Sequence, residues 1–522
     1  MAKQETRNED LLYERVADHI TQLIDQGTLH AGERLPSIRK LSSQMDVSIS
    51  TVLQAYMILE DKDWIEAKPQ SGFYVRSTRN LPPEPKPSNP SPVVTRVGVS
   101  ELVAQVFQSA HDPEMVQLAL STPSPDHLPV KRLNRLMAVA TGRAGARAVS
   151  YDFPPGYRPL RHEIAKRSID SGCRLSENDI VTTHGTMEAL NLCLRAVAKS
   201  GDIIAIESPA FYGTLQIIES LGMKALEIPA DPRDGIVLDA LAAAIRRQKV
   251  KACLFVLNFS NPLGSCMPDA NKKELVELLA RREIPLIEDD IYGDLSFGGT
   301  RPRTAKAYDK HGLVLLCSSF SKTLAPGYRV GWTAPGRFKP QVESLKFTNT
   351  MATTTAPQMA IADFLQSGGY DRYLRKIRRI LKTQVQQMSN AVGRYFPDGT
   401  KVTRPQGGYV LWVELPRSVD SLELHRRALQ QKISIAPGPI FSANQKYKNF
   451  IRLSCGHLVG KDRSRRSDIG RFVRQVNLSL ESRSWERSLL RSQFAFFAAK
   501  PSPSSFLPPR RDCVAFSRES KF

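Results

Sequence analysis

The sequence predicts a multidomain protein, in which a small helical head with a β-hairpin precedes a larger α/β domain. Three observations predict this arrangement. The 522-residue length is too great for one compact domain, a proline-rich segment divides the chain, and the hydrophobic pattern changes across that segment from helical periodicity to alternating strand and helix signals. With 41% hydrophobic and 24% charged residues, the composition is that of a globular protein.

The head, residues 1–78, shows helical periodicity followed by a hairpin signal. One face of a first helix collects the apolar residues Leu12, Val16, Ile20 and Leu23. A second helix opens at Pro36–Ser37, a third begins with Ser48 or Ser50 as its cap, and "WIEAKPQSGFYV" predicts two short strands around a glycine turn. This is the element order of a winged helix-turn-helix, whose third helix enters the DNA major groove.

A proline-rich stretch then marks a linker. Asn80–Pro92 contains six prolines in thirteen residues, a density that removes backbone donors and favours extended polyproline II conformation. We predict a linker over residues 79–114. As a flexible coil, residues 77–114 would span roughly 35 Å, about the separation of two DNA half-sites one helical turn apart.

Residues 115–458 alternate between short apolar runs and helical stretches. The runs are "DIVTTHG", "DIIAIESP", "KACLFVLNFSNP", "IPLIEDDIY" and "LVLLCSSFSK", and each ends in polar or glycine-bearing residues. This alternation predicts an α/β domain with a mostly parallel sheet. Ligands in such sheets bind at the carboxyl ends of the strands, so the residues that close each run are the candidate site.

Charge and cysteine content limit the partners and the compartment. The net charge of +21 favours an anionic partner, first of all nucleic acid. Residues 459–522 contribute 14 basic and 6 acidic residues to this balance, so charge alone is a weak argument for DNA. Seven scattered cysteines without a CxxC pair argue against a disulfide framework or a metal site. The absence of a signal peptide and of any apolar run of membrane-spanning length predicts a cytoplasmic protein.

The basic tail, residues 459–522, is rich in Ser, Arg and Pro. We predict that it is mostly disordered, apart from one amphipathic helix over "DIGRFVRQVNLSLES".

The residues that close the apolar runs carry the chemistry. They are Gly185, Thr186, Met187, Phe211, Asn261, Asp289, Tyr292, Ser319, Ser321 and Lys322, with Arg329 seven residues beyond the lysine. Each has an ordinary structural explanation when taken alone, such as a turn or a helix cap. Together at one sheet edge they match the needs of pyridoxal 5′-phosphate, whose aldehyde forms an imine with a lysine amine. This imine explains why Lys322 ends an otherwise apolar strand.

Each predicted cofactor ligand has a role. Asp289 would pair with the ring nitrogen, Asn261 and Tyr292 would hydrogen-bond the phenolate oxygen, and Phe211 would stack on the ring. The phosphate would be held by hydroxyls, backbone N–H groups at a helix start and a guanidinium fork. These phosphate ligands are Gly185, Thr186, Met187, Ser319 and Arg329, and Ser321 is a further candidate for binding the cofactor.

From about Asp112 to Cys455 the chain resembles the fold type I pyridoxal-phosphate aminotransferases, which have a large domain with a mostly parallel sheet and a small C-terminal α+β domain. "YDFPPGYRPLRHEIA" resembles that family's Y-x-x-P-x-G-x-x-x-LR segment. The resemblance implies that Tyr151 reaches the phosphate of a partner subunit, and hence a homodimer. "FIRLSCG" resembles the late strand of the family, which implies that Arg452 binds the substrate α-carboxylate.

The head resembles the GntR-type winged helix over "AGERLPSIRKLSSQMDVSISTVLQAYMILE". The resemblance implies contacts to double-stranded DNA by Arg39, Ser48, Ser50, Thr51, Ser71 and Gly72. Ile49 stands where that family often has arginine or another polar residue. The combination of head and large domain is similar to the MocR group of GntR regulators, although the tail after Gly460 does not follow that pattern.

Three functions remain open. The first is a DNA-binding transcriptional regulator that senses an amino compound by imine exchange at Lys322. The alternative is a catalytically active aminotransferase with an appended DNA-binding head, because every residue expected for transamination is present. A scaffold with a relic pocket is the third, and the completeness of the pocket disfavours it. Turnover between an amino acid and a 2-oxo acid separates the first two, and a colourless protein would indicate the third.

Overall fold

A computed structural model describes most of the chain before the basic tail. The described residues are 12–25, 28–30, 32–61, 64–68, 71–75, 81–108, 112 and 114–457. The tail over residues 459–522, with its predicted amphipathic helix, lies outside them. None of the helices in the described part combines the length and apolarity needed to cross a bilayer.

Within its described residues, the head contains three helices and one hairpin, as predicted. Its elements are α1 (Leu12–Asp25), α2 (Ile38–Met45), α3 (Ile49–Asp61), β1 (Ile65–Lys68) and β2 (Gly72–Val75), with β1 and β2 antiparallel. Val16, Ile20, Val52 and Tyr56 are among the residues that form its core. Leu12 is 55% exposed, so the buried face of α1 begins one turn later than the periodicity suggested.

The larger part begins with elements that surround the main sheet. They are β3 (Thr95–Arg96), α4 (Ser100–Phe107), β4 (Val116–Gln117), α5 (Val130–Ala144), α6 (Arg158–Arg167), β5 (Val181–Thr183), α7 (Thr186–Val197), β6 (Ile203–Ser208), α8 (Tyr212–Ser220), β7 (Lys224–Asp231), β8 (Gly235–Ile236), α9 (Leu238–Arg247), β9 (Val250–Phe255), α10 (Asp269–Ala280), β10 (Leu286–Asp289), β11 (Val314–Ser319) and β12 (Gly331–Ala334). The chain continues with α11 (Lys339–Thr350), α12 (Thr355–Gln366), α13 (Gly369–Tyr395), β13 (Lys401–Val402), β14 (Val410–Glu414), α14 (Ser421–Gln430), β15 (Ile433–Ser434), β16 (Ala436–Pro437) and β17 (Phe450–Ser454).

The main sheet has the strand order β3-β7-β6-β9-β10-β11-β12-β5, with β8 paired to β7. The pairs among β7, β6, β9, β10 and β11 are all parallel. Because β12 runs antiparallel to both β11 and β5, β5 has the same direction as β11. The five predicted apolar runs therefore end at one edge of a single sheet.

Helices cover both faces of this sheet, which is why its strands are apolar on both sides. Along β6, Ile204 and Ile206 join the core formed with α7 and α8, whereas Ala205 joins the core formed with α9 and α10. The predicted α/β domain is confirmed. The antiparallel strand β12 was not predicted, because "GWTA" is too short to give a strand signal.

A small antiparallel sheet, β13-β14-β17-β16, forms the C-terminal domain. Strand β4 joins this part of the molecule by pairing with β15, with Val116 opposite Ile433. This connection brings residues 118–122 toward the edge where the main strands end.

The prediction of a flexible linker is wrong for residues 81–108. Strand β3 pairs with β7 at Thr95 and Ala225, and α4 buries Val103 and Val106. Proline removes donors but leaves an extended backbone, and Ser88, which lies among the prolines, donates its N–H to the carbonyl of Ala230 (3.0 Å). The reach of a free coil therefore does not apply to this stretch.

Candidate functional site

Lys322 lies just beyond the carboxyl end of β11 and is partly buried. Its Nζ donates a hydrogen bond to the carbonyl oxygen of Ser121. Burial, with the cations Arg452 and Arg329, lowers the pKa of Lys322 to about 8, and the carboxyl of Asp289 opposes this shift. A substantial fraction of such an amine is neutral near pH 8 and able to act as a nucleophile.

Asp289 is the last residue of β10 and is 3% exposed. Its Oδ1 accepts a hydrogen bond from the N–H of Ile291 (3.2 Å). Burial and the neighbouring Asp290 raise the pKa of Asp289 to about 7. A buried carboxyl of this kind is costly to ionise alone, and it becomes favourable when a cationic partner pairs with it.

Asn261 and Tyr292 lie together above this edge. Asn261 Nδ2 donates to the Tyr292 hydroxyl (3.4 Å), and the Asn261 Oδ1 is buried without a hydrogen-bond partner. Burial raises the pKa of Tyr292 to about 12, so its phenol stays protonated at neutral pH. The pair can therefore donate two hydrogen bonds to one acceptor oxygen.

A cluster of donors surrounds the N-terminus of α7. Arg329 Nη2 donates to the carbonyl of His184 (3.2 Å), and Arg329 Nη1 donates to Ser321 Oγ (3.3 Å). Ser321 N–H in turn donates to Ser319 Oγ (3.2 Å). Thr186 Oγ1, in the first turn of the helix, is buried without a partner. An unpaired hydroxyl, a guanidinium and a helix start are together suited to binding an anion.

Gly185 is required by the geometry of this cluster. Its φ is +76°, and a Cβ at this position would lie 2.6 Å from Arg329 Nη2. Any side chain would therefore strain the backbone and displace the guanidinium. Met187 and Phe211 lie close to each other, since a Cβ added at Gly213 would be 3.1 Å from Met187 Sδ and 2.5 Å from the ring of Phe211.

Arg452 on β17 is fully buried, and it comes from the small domain. Its Nη2 donates to the carbonyl oxygen of Ala119, whereas Nε and Nη1 are buried without hydrogen-bond partners. Burial lowers its pKa, which the nearby phenols of Tyr212 and Tyr292 oppose. A guanidinium with two unused buried donors is suited to a carboxylate ligand.

The sequence did not single out Ser121, Tyr212 and Tyr409. Ser121 precedes the first apolar run, so no strand end marked it, yet its hydroxyl lies 2.9 Å from that of Tyr292. Tyr409 donates to the Ser121 carbonyl (3.2 Å). The glycine pair before Tyr409 was the available signal, because Gly408 has a φ of +70° that turns the chain toward this edge.

Tyr151 does not join the site of its own chain. It is 70% exposed and packs against Phe153, whose ring also contacts Phe347, with centroid separations of 5.6 Å and 5.9 Å. The other predicted cofactor residues lie along or beside one sheet edge, together with Arg452.

The predicted DNA contacts lie on the surface of the head. Ser48 caps α3, accepting a hydrogen bond from the N–H of Thr51 (3.1 Å), and its Oγ lies 2.8 Å from Ser50 Oγ. Arg39 is exposed on α2. In the hairpin, Ser71 hydrogen-bonds Tyr74 (2.6 Å), and Gly72, with a φ of +105°, faces the guanidinium of Arg34.

The fold and the site together define an aminotransferase-type domain joined to a winged-helix head. The chain belongs to the aminotransferase class I and II family, whose model matches residues 118–461. The model for bacterial regulatory proteins of the gntR family matches residues 12–75. These matches confirm the predicted fold class, the MocR-like pairing of domains, and pyridoxal phosphate as the cofactor for which such a domain is built. The head is a DNA-binding domain, and the aminotransferase fold is one for amino compounds.

Two transcriptional regulators and a solved aminotransferase are similar to this chain. The uncharacterized HTH-type transcriptional regulators YjiR and YdcR of Escherichia coli K12 are 39% and 40% identical, each alignment covering 85% of this chain and 94% of the relative. Among solved structures, LysN from Thermus thermophilus has a TM-score of 0.68 and 27% identity, over 74% of this chain and 97% of that chain. LysN is an α-aminoadipate aminotransferase, complexed in that crystal with N-(5′-phosphopyridoxyl)-L-leucine.

Proposed function

We propose that this protein is a transcriptional regulator whose DNA binding responds to an amino compound held in the aminotransferase-type domain. One observation carries the proposal: a cluster of residues suited to pyridoxal phosphate and a buried guanidinium with two donors lacking partners occur in the same chain as a GntR head. The resemblance to YjiR and YdcR supports regulation over catalysis as the main function.

The roles of the site residues follow from their environments. Bound pyridoxal phosphate supplies an aldehyde that exchanges one amine for another and a ring that withdraws electrons. Lys322 provides the resident amine, and its lowered pKa keeps part of it neutral. Asp289 keeps a proton on the ring nitrogen, because a cation is the partner that makes its buried carboxylate favourable. Asn261 and Tyr292 donate to the phenolate oxygen, and Phe211 stacks on the ring.

The donors around α7 hold the cofactor phosphate. Arg329, Ser321 and Thr186 direct their polar groups to the helix start, where the backbone N–H groups of Gly185 and Met187 add to the positive potential. Ser319 orients Ser321 through its hydrogen bond.

The effector is an amino compound with a carboxylate. Arg452 binds the carboxylate while the amine replaces that of Lys322, so the effector connects the small domain to the large one. A ligand shifts a conformational equilibrium only when it binds one state more tightly. Simultaneous contact with both domains favours the state in which they are close together.

The proline-rich segment is placed to transmit this movement. Glu84 accepts a hydrogen bond from Arg233 of the large domain (2.5 Å) and another from the backbone N–H of Arg404, which follows β13 of the small domain (3.1 Å). Pro83 O accepts from Val402 N–H on β13 (3.0 Å). In the sequence, this segment connects the DNA-binding head to the rest of the chain, and its hydrogen bonds reach both domains. Movement between the domains would therefore pull on it.

We propose a cytoplasmic homodimer that binds double-stranded DNA with two heads. The exposed rings of Tyr151, Phe153 and Phe347 support a second copy at this surface, since clustered aromatic exposure is typical of interfaces. In such a dimer Tyr151 would complete the phosphate site of the partner subunit. Two heads would bind two half-sites related by the dimer axis.

Transaminase activity is the second candidate function, favoured by the completeness of the cofactor site. Purified protein supplied with an amino acid and a 2-oxo acid would then exchange amino groups at an appreciable rate. A change in cofactor absorbance without turnover would favour the sensor alone.

The test is an absorbance titration of the cofactor-loaded protein with a panel of amino acids, with and without promoter DNA. We expect one class of amino acid to shift the chromophore and to change DNA affinity in the same concentration range. Lys322→Ala should hold the phosphate compound only noncovalently, so borohydride should fix no adduct. An unresponsive chromophore throughout the panel would rule out amine sensing.

A further inference from the structure

The outer face of α3 carries an apolar stripe. Ile49, Leu53 and Met57 are 55%, 42% and 57% exposed. They are spaced four residues apart and therefore lie along one side of the helix. The helix sequence, ISTVLQAYMILED, contains no lysine or arginine. Phosphate binding does not explain this surface, because the helix has no basic residue and exposes three large apolar side chains to water.

The orientation of the stripe is fixed by the core of the head. Val52, Tyr56 and Leu59, on the adjoining face of α3, are fully buried. Tyr56 also donates its hydroxyl to the carbonyl of Pro36 (2.7 Å), which ties α3 to the chain before α2. The helix cannot turn its apolar stripe inward without breaking these contacts, so the stripe is a permanent part of the head surface.

The stripe begins at the N-terminal end of α3, which corresponds to the helix that reads DNA bases in helix-turn-helix proteins. In these proteins the N-terminal residues of the recognition helix contact base edges. Ile49 is the first residue of α3, and it lies between Ser48 and Ser50, whose hydroxyls suit phosphate contacts. Gln54, beside Leu53, is exposed as well.

Only one group in the major groove offers an apolar surface of this kind, the C5-methyl of thymine. We propose that Ile49 and Leu53 recognise thymine methyl groups, so that α3 selects A·T pairs at the positions it contacts. Gln54 fits the same reading, because its amide can pair with adenine N6 and N7. The exposed cations Arg39 and Lys40 on α2 supply charge complementarity to the phosphates. The inference rests on the proposed function, since it requires that the head bind DNA.

The experiment begins with selection of bound duplexes from a random-sequence pool by the full-length, cofactor-loaded protein. The enriched duplex is then compared with versions in which one thymine at a time is replaced by deoxyuridine, which lacks only the methyl group. We expect about three- to fivefold weaker binding at one or two thymines in each half-site, the size of one lost methyl burial. Other thymines should tolerate the replacement.

Two variants assign the methyl contacts to residues. Each of Ile49→Ala and Leu53→Ala should lose the preference for thymine over uracil at the position that its own residue contacts. Each should keep this preference at the position contacted by the other residue. Leu12→Ala is the matched control, because Leu12 is similarly exposed on α1, and it should keep both preferences. Thermal melting checks that all three variants fold.

A third variant tests a gain of specificity. Ile49→Arg should select guanine in place of thymine at the Ile49 position, because a guanidinium pairs with guanine O6 and N7. If every uracil duplex binds like its thymine counterpart, or if the alanine variants keep both preferences, the inference is overturned while DNA binding stands. If no duplex is enriched at all, both the inference and the proposed regulator fail.

Discussion

Burial first, and then the guanidinium of Arg452 from the small domain, lower the pKa of the Lys322 amine in the large domain. The two cations lie in one buried site whose acidic partner is Asp289. Each cation is held by a backbone carbonyl of the segment before α5, Arg452 by Ala119 and Lys322 by Ser121. A carboxylate bound to Arg452 would therefore both satisfy its unused donors and reduce the repulsion between the two cations.

Arg452→Gln should separate carboxylate recognition from amine exchange. We expect amino carboxylates to bind about 10- to 100-fold more weakly, the size of a lost charge-assisted hydrogen bond. Simple amines without a carboxylate should bind as before. The measurement is cofactor absorbance during titration with each compound. Arg452→Lys keeps the charge but loses the planar fork, so it should recover only part of the affinity. Unchanged binding of amino carboxylates to Arg452→Gln would place their carboxylate elsewhere.

Asp289 predicts how stability without cofactor depends on pH. The pKa of Asp289 is about 7 in the folded chain and 3.8 ordinarily. Between these two pH values the carboxyl is protonated in the folded state and ionised in the unfolded state. Stability should therefore fall as pH rises from 4 to 7, and the loss should be complete above pH 7. Asp289→Asn should remove this fall and be more stable at pH 8 by roughly 2–4 kcal/mol, while losing affinity for the cofactor. Urea unfolding of cofactor-free protein at several pH values measures the difference, and parallel pH profiles for the two proteins would contradict it.

Much of the site could be predicted because a parallel sheet converts order in sequence into proximity in space. Asp289, Ser319 and Thr183 end strands that are distant in the chain, and all three strands end at one edge. The chemistry of the closing residues then specified one ligand. Ser121 and Tyr409 could not be found in this way, because they come from the chain before α5 and from the small domain, and neither residue ends a strand of the main sheet.

The linker shows the opposite limit of sequence analysis. Proline density predicts an extended backbone correctly, but it does not tell whether that backbone lies in water or against a domain. The difference comes from a few residues between and after the prolines. Ser88 donates its hydroxyl to the carbonyl of Ser208 (2.5 Å), and Val97 and Val99 enter the core of the large domain. Such tertiary contacts leave no periodic signal in the sequence.

Gly185→Ala should abolish tight cofactor binding while leaving a folded protein. The added Cβ would lie 2.6 Å from Arg329 Nη2 and must move the guanidinium away from the helix start. Gly201→Ala is the matched control, since Gly201 has a similar φ of +87° but no atom within 4 Å of its Cβ. Both variants carry the backbone strain of a positive φ, so only the first should lose affinity, by about tenfold or more. Equilibrium dialysis against pyridoxal phosphate measures this, and equal losses in both would show that strain alone is responsible.

Glu84→Ala should uncouple effector binding from DNA binding. The carboxylate connects Arg233 of the large domain to the backbone of Arg404 in the small domain, so its removal frees the segment from movement between them. We expect the affinities for effector and for DNA, each measured alone, to stay within about twofold, because Glu84 contacts neither site. The change in DNA affinity on adding effector should be largely lost.

Glu101→Ala removes the same charge from an exposed position on α4 and should keep the full response. Fluorescence anisotropy of labelled promoter DNA is measured during titration with each variant, at saturating and at zero amino acid. It gives the DNA affinity of both variants with and without effector. A Glu84→Ala protein that responds as fully as Glu101→Ala would show that the signal reaches the head by another route.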